Sequence, residues 1–177
     1  MALRVLVTDG MDAGAMEQLR KDGYEVVEQF YEPDQLGTAL RDFDVVIIRS
    51  ATKIKEPQID AAKGSRLKLI IRAGVGVDNI DMDYCKEHGI KVSRTVGANS
   101  EAVADYAMAL MLAVARKVPE IDRKCRRLNW GKITTRDVSH ATLGLFGLGA
   151  IGRHVAERAQ GFGMKVIAYD PYWPEEI

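Results

Sequence analysis

Residues 142–146, Thr-Leu-Gly-Leu-Phe, run directly into Gly147-Leu148-Gly149-Ala150-Ile151-Gly152, and residues 164–169, Met-Lys-Val-Ile-Ala-Tyr, run into Asp170. The first stretch reads as a strand, a tight turn and the start of a helix over Ala150–Phe162; the second reads as the next strand. Glycines in a G-x-G-x-x-G pattern punctuate many turns, and a glycine-rich turn with a structural Asp is the competing interpretation. The context favours more. The pattern follows a strand, opens a helix, and has an acid 18 residues past Gly152, close to the spacing of a dinucleotide-binding βαβ unit. In that reading Gly147 permits the turn, Gly149 lets the backbone approach a pyrophosphate, and Gly152 lets helix and strand close together. The Ala150 and Ile151 N–H groups face phosphate oxygens at the helix N-terminus. Asp170 accepts hydrogen bonds from the adenosine ribose hydroxyls. Its charge repels a 2′-phosphate, and no Arg or Lys follows it through Ile177, which favours NAD over NADP.

Upstream, residues 129–139 are polar and read as a loop. Before them a long helix is expected from about Ser100 to Leu128, with a possible break near Pro119 and Asn99 or Ser100 as its cap. Glu101 sits well at the positive end of that helix dipole. Ala and Met residues surround its stretch 102–115 on all sides, as expected for a helix buried between layers or subunits. The first 97 residues alternate strand and helix. Strands are predicted at Leu3–Val7, Tyr24–Val27, Val45–Ile48, Leu67–Ile71 and Ile90–Val92, and helices at Met11–Lys21, Pro33–Leu40 and Pro57–Ala62. Continuous apolar runs such as Val45-Val46-Ile47-Ile48 suit a parallel sheet covered on both faces. The expected fold is therefore α/β. A parallel domain over 1–97 precedes a linking helix and the first βαβ unit of a Rossmann nucleotide-binding domain over 98–177. Two strands make a small sheet, so the second domain reads as begun and unfinished.

Two loops of the first domain carry candidate binding groups. Arg72-Ala73-Gly74-Val75-Gly76-Val77-Asp78-Asn79-Ile80-Asp81 follows a buried strand, and Gly74 and Gly76 allow a turn whose N–H groups can face a carboxylate. Arg72 adds a guanidinium fork. Arg49-Ser50-Ala51-Thr52-Lys53 follows the preceding strand and brings a second Arg with two hydroxyls. Each alone is also readable as an ordinary strand-end loop, with Arg49 solvated or ion-paired. Ligands of parallel sheets sit beyond the strands' carboxyl ends, where both loops lie. Two arginines there suggest an anion with more than one acidic group.

Composition narrows the partners. Lys+Arg and Asp+Glu both number 25, so no net field favours nucleic acid or an anionic membrane. The apolar run 106–115 falls short of the roughly 20 residues needed to cross a bilayer. Two cysteines, Cys85 and Cys125, suit a reducing compartment, and the start, Met1-Ala-Leu-Arg-Val-Leu-Val, is too short an apolar run for a signal peptide. A cytoplasmic location is expected, with no metal site.

Taken together, Arg49-Ser-Ala-Thr52, Arg72-Ala-Gly-Val-Gly-Val-Asp-Asn-Ile-Asp81, Ala98-Asn-Ser-Glu-Ala-Val-Ala-Asp105 and Gly147–Gly152 with Tyr169-Asp170-Pro171 resemble the D-isomer-specific 2-hydroxyacid dehydrogenase family over essentially the whole chain. Within it the likeness is greatest to enzymes acting on 3-phosphoglycerate. The resemblance implies a flavodoxin-like substrate domain and an NAD-dependent oxidation of a small anionic 2-hydroxy acid to its 2-oxo acid. For 3-phosphoglycerate the product is 3-phosphooxypyruvate, the entry to serine synthesis. It further implies that Arg49 and Arg72 hold phosphate or carboxylate and that Gly74 and Val75 offer N–H groups. Val75 would also lie near the nicotinamide, while Ala150, Ile151 and Asp170 contact NAD. The helix region 100–118 would link the domains and contribute to a homodimer, and substrate would bind in an interdomain cleft whose closure excludes water.

The family's catalytic Arg, Glu and His belong to a later part of the cofactor domain than this sequence reaches. His88, His140 and His154 have no carboxylate at a spacing that suggests a dyad, so no catalytic residue is assigned and the 177-residue chain alone is expected to be inactive. Where relatives carry Gly-Lys before the cofactor strand, this chain has Ser139-His140-Ala141. Two other readings stay open: a non-catalytic NAD-sensing or partner-binding module, and a dehydrogenase of glycerate or hydroxypyruvate.

Overall fold

A computed structural model describes residues 2–172; Trp173 and Pro174 of the Pro-rich turn after Asp170 lie outside the described residues. The chain divides into two compact units, Met1–Val96 and Gly97–Ile177. In the first, strands β1 (Arg4–Val7), β2 (Glu25–Glu28), β3 (Val45–Ile48), β4 (Leu69–Arg72) and β5 (Lys91–Arg94) form a sheet of order β2-β1-β3-β4-β5. Every pairing is parallel. Helices α1 (Ala13–Lys21), α2 (Pro33–Ala39), α3 (Glu56–Ala61) and α4 (Met82–Glu87) are the crossovers.

The apolar runs of the central strands β1, β3 and β4 follow from cover on both faces. Leu6, Val46, Ile48 and Ile70 enter the larger core with Leu36, Leu40 and Ile59, while Val5, Val7 and Ile47 enter a second core with Met11 and Leu19. The elements form where local chemistry permits. The Asp12 carboxylate caps α1 by accepting from the Ala15 N–H at 3.0 Å, and Asp81 caps α4 by accepting from Tyr84 at 3.1 Å. Pro33 starts α2 at a position where its missing N–H is harmless.

The second unit holds α5 (Ser100–Ala115), α6 (Val118–Arg126), β6 (Thr142–Phe146), α7 (Ala150–Gly161) and β7 (Lys165–Tyr169), with β6 and β7 paired in parallel. The helix expected over 100–128 is thus two. It breaks at Arg116-Lys117, where Lys117 takes φ 50°, so that Pro119 falls in the first turn of α6 instead of clashing with a preceding turn. Asn99 is the N-cap residue of α5, but its side chain makes no capping bond. α5 buries Ala104 and Met108 against Val155, Ala159 and Met164, leaving Tyr106, Leu110 and Val114 exposed. It is therefore buried along one stripe within its unit, not all round. The two-stranded sheet is likewise one-sided: Leu143, Leu145 and Val166 pack inward, while Phe146 is 94% exposed and Tyr169 64%.

The close packing of α2 on α3 depends on Gly37, which is buried in α2. A Cβ there would lie 2.7 Å from the Ala61 Cβ and 2.9 Å from the Gln58 carbonyl oxygen of α3. Backbone cannot yield as a flexible side chain can. Gly37→Ala is expected to destabilise the first unit by about 1–3 kcal/mol in urea unfolding, despite the better helix propensity of Ala.

Candidate functional site

In the second unit the turn between β6 and α7 carries the phosphate-binding candidates. Gly147 sits at φ 100°, a region open to glycine, and its N–H donates to the Tyr169 carbonyl at 2.8 Å, tying the end of β6 to β7. A Cβ on Gly152 would run into the Gly147 carbonyl group, so this glycine allows helix and turn to cross closely. Gly149 differs. It is the N-cap of α7 in an extended conformation any residue can adopt, and a Cβ there would meet nothing within 4 Å. Packing within this chain does not require glycine at 149, and open space lies in front of it. Bordering that space are the Ala150 and Ile151 N–H groups, first-turn donors without intrahelical partners, and α7 has no side-chain cap.

Asp170 stands beside this turn. Its Oδ2 accepts from the Leu148 N–H at 2.6 Å and its Oδ1 from the Tyr172 N–H at 2.9 Å. The Leu148 N–H, then the Tyr172 N–H and the nearby Arg153 guanidinium, hold its carboxyl below the usual carboxylate range against a smaller desolvation effect. A carboxylate has about four lone-pair sites, so capacity for ribose hydroxyls is left. Arg153 is a cation the sequence reading missed, because it precedes Asp170 on α7 and reaches the turn through space. Its Nε donates to the Leu148 carbonyl at 3.0 Å. An open cradle at Gly149, unpartnered amides and an adjacent ionised acid together fit a diphosphate and its ribose.

In the first unit Ile48 and Arg72 are register partners, so the loops after β3 and β4 leave neighbouring strand ends. Arg49, Arg72, Gly74 and Val75 therefore share the carboxyl edge of one sheet. Arg49 and Ser50 are exposed there. Arg72 is turned back: its guanidinium lies over Gly74, leaving no room for a Cβ, and donates to the Ala73 carbonyl at 3.0 Å, while its Nε is buried without a partner. The Gly74 N–H donates to the Arg72 carbonyl at 2.8 Å, which turns this amide into its own loop. The half-exposed Val75 has no such bond on its N–H.

Sequence reasoning also missed Asp9 and Asn79. In a sheet of this strand order ligands favour the crevice between β1 and β3, where the chain reverses direction across the sheet. The Asp9 carboxylate, just after β1, bridges to the loop after β3, accepting from the Arg49 and Thr52 N–H groups.

The histidines stand apart from these loops in their local contacts. His88 contacts the Tyr84 carbonyl through Nδ1 at 2.9 Å at the end of α4, and His140 sits in a turn at φ 65°. His154 lies 3.9 Å from Glu157 on α7, a loose pair with a largely exposed carboxylate. Among the described residues no cluster of His, Cys, Asp and Glu is able to hold a metal ion, and no helix is long and apolar enough to cross a membrane.

Residues 5–168 match the family described as D-isomer specific 2-hydroxyacid dehydrogenase, catalytic domain. The chain belongs to this family. Hydroxypyruvate reductase of Thermotoga maritima is 45% identical over 175 residues, covering 97% of this chain and 56% of that protein. D-3-phosphoglycerate dehydrogenase of Methanocaldococcus jannaschii is 40% identical over 177 residues, covering 99% of this chain and 33% of that protein. The solved NAD+-bound 3-phosphoglycerate dehydrogenase of Entamoeba histolytica superposes with a TM-score of 0.77 at 31% identity, covering 99% of this chain and 56% of that one. The chain thus spans at most about half the length of these relatives. The family is one of dehydrogenases, and the α/β fold with parallel sheets is shared with its solved members.

The glycines separate in their expected behaviour. Gly149→Ala should lower the thermal unfolding midpoint only slightly, by the loss of a favourable N-cap residue, since its methyl group meets no atom of this chain, and should abolish NAD binding in calorimetry. Gly152→Ala should lower the midpoint itself.

Proposed function

We propose that this chain forms the acid-binding domain and the first nucleotide-binding unit of an NAD-dependent dehydrogenase of small anionic 2-hydroxy acids, with 3-phosphoglycerate as substrate and serine synthesis as its setting. The observation that carries the cofactor half is the open space in front of Gly149, bordered by the α7 amides and Asp170. Bound NAD would supply the hydride acceptor. The residues of this chain would bind and orient: Ala150 and Ile151 through their amides, Gly147, Gly149 and Gly152 by shaping the turn, and Asp170 through the ribose hydroxyls. Asp170 is a poor host for a 2′-phosphate, which supports NAD over NADP.

For the acid, Arg49 supplies an exposed guanidinium and Val75 an amide at the same sheet edge. Arg72 joins them if its guanidinium swings off the Ala73 carbonyl, which releases its buried, unpartnered Nε. A phosphorylated acid uses both arginines. The folded-back pose of Arg72 supports a second reading, in which the substrate is glycerate or hydroxypyruvate and Arg49 alone holds its carboxylate. No histidine faces a carboxylate at either loop, so proton transfer is not assigned to this chain, and the 177-residue polypeptide is expected to generate no NADH. Self-association through the 100–118 region is part of the same proposal, supported by the exposed Tyr106, Leu110 and Val114 on α5.

Thermal shift and calorimetry with 3-phosphoglycerate and glycerate separate the two substrates. Loss of one charged hydrogen-bonding partner costs about 1.5–3 kcal/mol, or roughly tenfold or more in affinity. Arg49→Ala is expected to weaken both acids, and Arg72→Ala to weaken phosphoglycerate alone. Equal affinity of wild type and Arg72→Ala for phosphoglycerate would favour the unphosphorylated acid.

A further inference from the structure

The loop after β3 is held from both sides by side chains distant in sequence. From the loop after β1, a single oxygen of Asp9, Oδ2, accepts the Arg49 N–H at 2.6 Å and the Thr52 N–H at 3.1 Å, while the Thr52 hydroxyl meets the other oxygen, Oδ1. From the loop after β4, the buried Asn79 amide donates through Nδ2 to the Arg49 carbonyl at 2.8 Å and to the Thr52 carbonyl at 2.7 Å. The two side chains thus divide the peptide groups of the same two residues, the acid taking the N–H groups and the amide taking the carbonyls. The residues between them are left out: Ser50 and Ala51 are exposed, and their N–H groups have no partner among the described residues.

We propose that Asp9 and Asn79 are positioning residues that clamp Arg49 and Thr52, so that the loop presents the Arg49 guanidinium and the Ser50 and Ala51 amides to the acidic group of a 2-hydroxy acid. This rests on the acid-binding role proposed above for the same loop. The residue types are chemically determined. An ionised carboxylate accepts from two converging N–H groups, whereas the neutral Nδ2 is a double donor suited to two carbonyls. Burial works against the Asp9 charge, but the Thr52 hydroxyl and the Thr52 and Arg49 N–H groups outweigh it and hold the carboxyl below the usual range. The Asn79 Oδ1 is buried without a partner, so packing of a polar amide alone does not account for this residue. Asp9 thus ties the end of β1 to the loop after β3, on the same sheet edge where Arg49 and Arg72 stand.

The test is amide hydrogen exchange on the 15N-labelled 177-residue chain, followed by titration with 3-phosphoglycerate and glycerate. In the wild type, Arg49 and Thr52 are expected to be protected while Ser50 and Ala51 exchange freely. Asp9→Asn, which keeps the shape and half the acceptor capacity, should speed exchange at Arg49 and Thr52 about tenfold. It should weaken acid binding to a similar degree, with Val46 and Ile70 in the sheet core keeping their protection. Asn79→Ala should act alike, and Asp9→Glu should recover part of the affinity that Asp9→Asn loses. Equal exchange across residues 49–52 in the wild type, or variants that bind acid as tightly as the wild type, would overturn the clamp. Failure of the underlying reading looks different: the wild type itself would then bind neither acid.

Discussion

A parallel strand that ends and turns toward its crossover helix leaves backbone N–H groups at the carboxyl edge of the sheet, and buried amides must find an acceptor. This chain meets that constraint in two ways. At some turns it provides its own carboxylate: Asp9 for Arg49 and Thr52, Asp170 for Leu148, Asp81 for the start of α4. At the exposed Ser50-Ala51 and Ala150-Ile151, and at Val75, the N–H groups have no partner among the described residues. The internal acids fix the backbone, and the amides they leave free are the ones proposed above to receive external anions.

The same logic gives the glycines different meanings. Gly37 and Gly152 are needed because protein atoms fill the place of a Cβ, and Gly147 because of its positive φ. At Gly149 no atom of this chain stands where a Cβ would be, and that open space is the one proposed above for the diphosphate. Arg72 reads similarly: folded over Gly74 with an orphaned Nε, it is held in a pose with an unsatisfied donor, which a bound anion would relieve.

Much of this was legible in the sequence. Apolar runs such as Val45–Ile48 marked the strands, and the glycine spacing with Asp170 marked the turn between β6 and α7, because both signals are local in the chain. The break between α5 and α6 was placed near Pro119, whereas the backbone turns earlier, at Lys117, since proline is compatible with a first helical turn. The clamp was not legible. Asp9 lies 40 residues from Arg49, and Asn79 lies 30 residues beyond it, so only the folded sheet brings them together. The inward turn of the Gly74 amide and the reach of Arg153 toward Asp170 were hidden for the same reason: side-chain direction and turn geometry are set by packing, not by residue spacing.

The central claim is that the unpartnered amides opening α7 receive the diphosphate of NAD. Titrating NAD+ into the 15N-labelled chain tests it most directly. The Gly149, Ala150 and Ile151 amide resonances are expected to move together and saturate with one affinity, while those of the β1–β5 sheet core stay in place. Resonances of Ala150 and Ile151 that remain still at saturating NAD+ would contradict it.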